Sequence, residues 1–144
     1  MGLLRITRMP LVTVTAGASV MDAVRTMHEE HIGAIAVVQN DRLAGMFSER
    51  DLMYRVVLEG RDPDRTQVGD VMTSPVITIE RSMTADDALR LMDERQIRHL
   101  PVVNADGKLA GMLSVRGLLH EKVQELTDQL DSLEAYFSAD GAGG

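Results

Sequence analysis

Apolar and polar positions follow two periods in this chain, and the same succession comes twice. Val20, Ala23, Val24 and Met27 fall at i, i+3, i+4 and i+7, the spacing of one helix face, and Ala85, Ala88, Leu89 and Met92 repeat it. Ser19 with Asp22, and Thr84 with Asp87, stand where an N-cap and an acidic third residue start such helices. A short β-branched stretch precedes each helix, at Leu11–Val14 and Val76–Ile79. After each helix the pattern predicts a strand, at Ile35–Val38 or Leu100–Val103. A polar turn follows, Gln39–Arg42 or Asn104–Lys108, with Gly107 supplying the tight bend in the second. A second strand comes next, Leu43–Phe47 or Leu109–Leu113, and a second helix opens at Ser48 or Ser114. Each half therefore reads β-α-β-β-α, which predicts an α+β fold.

The halves are copies of one another. Pro10–Leu52 laid over Pro75–Leu118, with one gap at Gly107, gives about 18 identities in 43 positions. One copy is too small to bury its own apolar surface; two packed about a pseudo-twofold axis are not. This predicts repeat 1 over residues 7–59, a polar linker over 60–74 with one helical turn at Val68–Met72, and repeat 2 over 75–120. An amphipathic helix over 121–137 follows. Leu119, Val123, Leu126, Leu130, Leu133 and Phe137 recur at steps of 4, 3, 4, 3 and 4, an a/d stripe that either folds back on its own repeats or pairs two chains, the steady period favouring pairing; a homodimer is expected either way. The closing SADGAGG reads as a frayed end.

The copies diverge in one telling stretch. GMFSERDL (Gly45–Leu52) becomes GMLSVRGL (Gly111–Leu118): Glu49 gives way to Val115 and Asp51 to Gly117. A carboxylate fixed in the first turn of a helix accepts both vicinal hydroxyls of a ribose, and a helix N-terminus with a hydroxyl and an arginine suits a phosphate. Ser48, Arg50 and Asp51 supply these groups together. Ser48 followed three residues later by Asp51 is equally a capping box, and the two roles are compatible.

Composition narrows the function. Net charge is −7, against a general nucleic-acid binder, while leaving room for a local basic pocket. The chain has no cysteine, which excludes disulfides, thiolate zinc sites and a catalytic thiol. No apolar run approaches the ~20 residues that span a bilayer. MGLLRITRMP lacks a signal pattern, so a cytoplasmic location is expected. His28 and His31 could share a helix face, but no nearby acid cluster makes a persuasive metal site there, and no metal is expected. No nucleophile–base pair or P-loop is visible, and no enzymatic activity is expected.

Two units with the pattern DA…M, LPVV and G-h-h-S-x-R-D, joined by VMT-P, resemble a tandem of CBS domains. These regulatory modules are named after cystathionine β-synthase and occur also in IMP dehydrogenase, chloride channels and the γ subunit of the AMP-activated kinase. The resemblance covers roughly Thr7 to Leu119, and SERDLMYRVVLEGRDPDRTQVGDVMTSPVITI is similar to the free-standing bacterial two-CBS proteins. It implies a dimerising disc whose inter-repeat cleft holds an adenine nucleotide: AMP foremost, or ADP, ATP, NAD(H) or S-adenosylmethionine. By the same resemblance Asp51 holds the ribose, Ser48 the sugar-phosphate region, and Arg50 faces phosphate. Val12 and Thr13 would form a wall. Gly33, Ala34 and Ala36 would leave room for adenine. Arg98 and His99, with Arg116, would face the phosphates across the cleft, and Ser114 with Arg116 would frame a weaker second site. Arg98 and His99 also read as an ordinary solvated pair. The implied role is a module that signals to an unidentified protein effector; the alternative is a ligand-free dimerisation or interaction scaffold.

Overall fold

In the computed structural model, which describes Thr7 and residues 11–143, both helix starts form as their spacing dictates. Ser19 Oγ accepts the Asp22 N–H at 3.0 Å, and Thr84 Oγ1 accepts that of Asp87 at 3.1 Å. These caps open α1 (Val20–Glu30) and α4 (Ala85–Arg95), which end on left-handed residues, His31 and Gln96. The other elements of repeat 1 are β1 (Thr13–Thr15), β2 (Ala34–Gln39), β3 (Arg42–Ser48) and α2 (Glu49–Asp51), which runs on as a π-helix over Leu52–Val57. A short α3 (Val68–Val71) lies between the repeats. Repeat 2 has β4 (Ile79–Glu80), β5 (His99–Val103), β6 (Leu109–Ser114) and α5 (Val115–Gly143) around α4. MGLLRITRMP, Thr7 apart, lies outside the described residues, as does Gly144.

Among the described residues the strands form two three-stranded sheets, β1-β2-β3 and β4-β5-β6. In each, the first strand pairs parallel and the hairpin antiparallel. β1 and β4 begin later than their β-branched stretches because a strand needs a partner: Thr13 is the first residue opposite β2, across from Ala36, and Ile79 the first opposite β5. The repeat 1 hairpin turns on Asn40 and Asp41, both at positive φ, where a two-residue turn of this hand is favoured. Repeat 2 has one residue more, and Gly107 takes the left-handed conformation at φ 81°.

Each sheet buries one face in its own core. Ile35, Val37 and Phe47 pack with Val20, Ala23 and Met27 in repeat 1; Leu100, Val102 and Leu113 pack with Ala88, Met92 and Leu118 in repeat 2. The segment expected to be a polar linker is partly core. Val68 and Val71 are buried in repeat 1, and the Val68 and Gly69 N–H groups donate to the carbonyls of Ala18 and Ala16. The apolar i, i+3 pair matters more here than the polar residues around it.

The segment then crosses to the edge of β3. Met46 N–H donates to Thr73 O at 3.0 Å, and Thr73 N–H to Met46 O at 2.7 Å. The crossing is close: a Cβ on Gly45 would lie 2.6 Å from Met72 Sδ and 2.7 Å from Thr73 O. On the other sheet Thr7 takes the corresponding place, and a Cβ on Gly111 would lie 2.6 Å from Thr7 Cγ2. Each glycine leaves room for the residues that lie over it.

α5 starts in the core of repeat 2 and is tied to α4 by a 3.0 Å ion pair between Lys122 and Asp86. It continues to Gly143, past Phe137 and through most of the stretch expected to fray, because extending a formed helix fixes one residue per hydrogen bond gained. No helix among the described residues is long and apolar enough to cross a membrane.

Candidate site between the repeats

Strand alternation sorts the expected site residues. With Ile35, Val37 and Phe47 in the core, Ala34, Ala36, Met46 and Ser48 share the opposite face of repeat 1. His99, Pro101, Met112 and Ser114 share the matching face of repeat 2. The two faces meet. Ala34 (4% exposed) and Ala36 (1%) are buried although neither belongs to a core. Arg42 and Lys108 form a bridge between the sheets, and the charge of Glu49 in repeat 1 acts on the imidazole of His99 in repeat 2.

Ser48 is the N-cap of α2, and it closes a full capping box with Asp51. The Asp51 N–H donates to Ser48 Oγ at 3.2 Å; Asp51 Oδ2 accepts the Ser48 N–H at 3.0 Å and the Ser48 hydroxyl at 3.2 Å. Two residues that the motif did not indicate complete the arrangement. The Thr73 hydroxyl donates to Asp51 Oδ1 at 3.0 Å and approaches Oδ2 at 3.2 Å. Arg55 Nε stands 3.6 Å from Oδ1, while Arg55 Nη1 donates to the Met72 carbonyl at 2.7 Å. Asp51 is 5% exposed, and its own chain uses most of the roughly four acceptor positions a carboxylate offers. Asp51 thus joins a strand-to-helix turn to the segment leading into repeat 2. Thr73 carried one signal in sequence: both copies place a threonine shortly before a proline, Thr7 before Pro10 and Thr73 before Pro75. Arg55 carried one as well, its i,i+4 spacing from Asp51 on the second helix.

The room expected beside the small residues is taken up. Glu49 Oε1 lies 2.8 Å from where a Cβ on Gly33 would stand, and Ala34 and Ala36 are buried. Val12 packs against the core of repeat 1, and Thr13 is exposed opposite Ala36. Arg50, Arg98 and Arg116 are exposed; His99 is partly covered. Burial holds the His99 imidazole below its ordinary value; the Glu49 carboxylate opposes this and the Arg98 guanidinium adds to it. At Ser114 the arrangement is simpler, with Ser114 Oγ accepting the Gly117 N–H at 2.9 Å and no acid in the turn. Among the described residues no three His, Asp or Glu side chains form a metal-binding group.

Residues 5–58 and 68–123 each match the CBS domain family. A protein of Methanopyrus kandleri is 34% identical over 79% of this chain and 59% of its own length. The mitochondrial CBS domain-containing protein CBSX3 of Arabidopsis thaliana is 35% identical over 85% of this chain and 61% of its own. The chain thus spans about three fifths of the length of these two relatives. Among solved structures, a protein with CBS domains from Burkholderia ambifaria superposes with a TM-score of 0.79 at 35% identity, covering 86% of this chain and 95% of that one. The chain belongs to the CBS domain family, a family of regulatory and signal-transduction modules, as a tandem pair of its repeats.

Proposed function

We propose that the pair is a non-catalytic regulatory module that binds an adenine nucleotide between its repeats on the Asp51 side and signals to a protein effector. AMP is the first candidate, with ADP, ATP and NAD(H) as alternatives. The observation that carries this reading is the Asp51 carboxylate, held rigid in the first turn of α2 and bonded to the segment that connects the repeats. Ribose hydroxyls are competent to take the acceptor positions that Thr73 now fills. Ser48 and the α2 N–H groups suit the sugar-phosphate region, and Arg98 and His99 supply cationic and hydrogen-bonding groups for the phosphate. Seating the nucleotide requires the flexible Glu49 side chain to leave Gly33 and the Thr73 hydroxyl to yield Asp51. The second change is the signal. It loosens the crossing segment at Met72 and Thr73, so nucleotide affinity differs between clamped and released forms, as a regulatory device requires.

The test is a melting-temperature titration with AMP, ADP, ATP, NADH and S-adenosylmethionine. A ligand at 100 times its dissociation constant adds about 2.7 kcal/mol. Asp51→Ala is expected to weaken binding roughly 10- to 150-fold, measured by calorimetry below the variant's melting temperature. No shift with any nucleotide overturns the reading. It favours instead the ligand-free scaffold, which the internal satisfaction of Asp51 supports.

A further inference from the structure

We propose that α5 is an assembly helix that pairs antiparallel with the α5 of a second copy of this chain. The helix has two unlike parts. Its first turns belong to repeat 2, where Leu118 is 1% exposed and Lys122 is tied to Asp86. Its outer part lies beyond residue 123, where the match to the CBS domain ends. Along both runs an uncovered apolar stripe: Leu119, Val123, Leu126, Leu130, Leu133 and Phe137, each about half to two-thirds exposed.

The period of the stripe names its occupant. Steps of 4 and 3 place Val123, Leu130 and Phe137 at a positions and Leu119, Leu126 and Leu133 at d positions, the seam that a second helix of the same kind fills. A twofold axis makes such a seam complementary to itself. The stripe and its flanks offer on the order of 700 Å² per chain, close to the roughly 800 Å² that each partner contributes to a standard stable interface.

Volume and charge choose the direction. Antiparallel pairing sets Leu119 beside Phe137 of the other copy, Val123 beside Leu133, and Leu126 beside Leu130. The layers are then of similar size, whereas parallel pairing would set valine on valine and phenylalanine on phenylalanine. His120 and Glu134 both lie at e positions beside the seam. Antiparallel pairing brings His120 near Glu134 of the other copy, an arrangement that parallel pairing does not offer.

Sedimentation velocity on the full chain is expected to show a dimer. Leu126→Glu with Leu130→Glu is expected to raise the dissociation constant on the order of 100-fold or more without lowering the melting temperature of the repeats, because both positions are exposed within the chain. Because the chain has no cysteine, Leu126→Cys and Leu130→Cys report direction cleanly. Under oxidation a mixture of the two variants is expected to form the mixed disulfide dimer, and neither alone to cross-link efficiently. A monomer at all concentrations, or a dimer that survives the double glutamate variant, overturns the pairing. Efficient cross-linking of each cysteine variant with itself overturns the antiparallel direction.

Discussion

The two repeats start their second helices from nearly the same residues and use them differently. In repeat 1, Ser48 and Asp51 cap each other, and Asp51 also holds Thr73 and Arg55. In repeat 2, one bond from the Gly117 N–H to Ser114 Oγ remains. The difference divides the motif by physical role. The glycine, common to both, admits a crossing segment at van der Waals distance: Met72 and Thr73 over Gly45, Thr7 over Gly111. The serine, also common to both, caps the helix. The acid, present once, ties the helix start to the segment joining the repeats. The repeats also part along the next turns. Repeat 1 continues as a π-helix that brings Arg55 to the Met72 carbonyl, and the same stretch of repeat 2 is regular α-helix.

The largest test of this comparison concerns the glycines. Gly45→Ala is expected to cost about 2–3 kcal/mol, because its methyl group would meet the Thr73 carbonyl, which is held by Met46. Gly111→Ala would meet Thr7 Cγ2 at 2.6 Å and its Cβ and Oγ1 at 2.9 Å, side-chain atoms and no carbonyl among the nearest three, and is expected to cost about 1–2 kcal/mol. Urea denaturation reads both, and equal losses would mean that the two crossings are equally rigid.

A second test exchanges the acid between repeats. Asp51→Ala is expected to lower stability by about 2 kcal/mol, since it removes the reciprocal half of the capping box and leaves the Ser48 N–H and the Thr73 hydroxyl without their acceptor. Gly117→Asp should raise stability by about 0.5–1 kcal/mol, through a new capping box and the removal of a glycine from the first helical turn. A destabilised Gly117→Asp protein would show that repeat 2 cannot accept the acid at all.

The smallest effect is on pH dependence. The folded-state value of His99 lies below its unfolded value of 6.5, so the unfolded chain takes up the proton first as pH falls. Stability is unaffected well above 6.5, declines as pH drops through that value, and stops declining on this account once the folded-state value is passed. His99→Ala, which gives repeat 2 the residue of Ala34, should flatten that decline in melting temperature against pH; an unchanged slope would assign it to other groups.

Much of the fold was legible because its signals are local. Caps at Ser19 and Thr84, the helical faces that follow them, and the hairpins around Asn40 and Gly107 all act over a few neighbours. The candidate site was legible only in part. The Ser48–Asp51 pair could be read from its spacing, and its capping role is realised. The crowding of Gly33 by Glu49 depends on how β2 and α2 come together within repeat 1, and the influence of the Glu49 charge on His99 depends on how one repeat lies against the other. Val68 and Val71 had an apolar spacing, yet the polar residues around them hid their place in the core of repeat 1.

The sequence by itself determined the duplication, the β-α-β-β-α order of each copy, the helix starts and the loss of one acid between copies. Periodicity and capping decide these within about four residues of chain. Only the tertiary structure decided what Asp51 touches. Thr73 lies 22 residues away, and a pattern of nearest neighbours cannot place it; the crossing segment arrives there because Val68 and Val71 are drawn into a core and the β3 edge offers Met46 as a backbone partner.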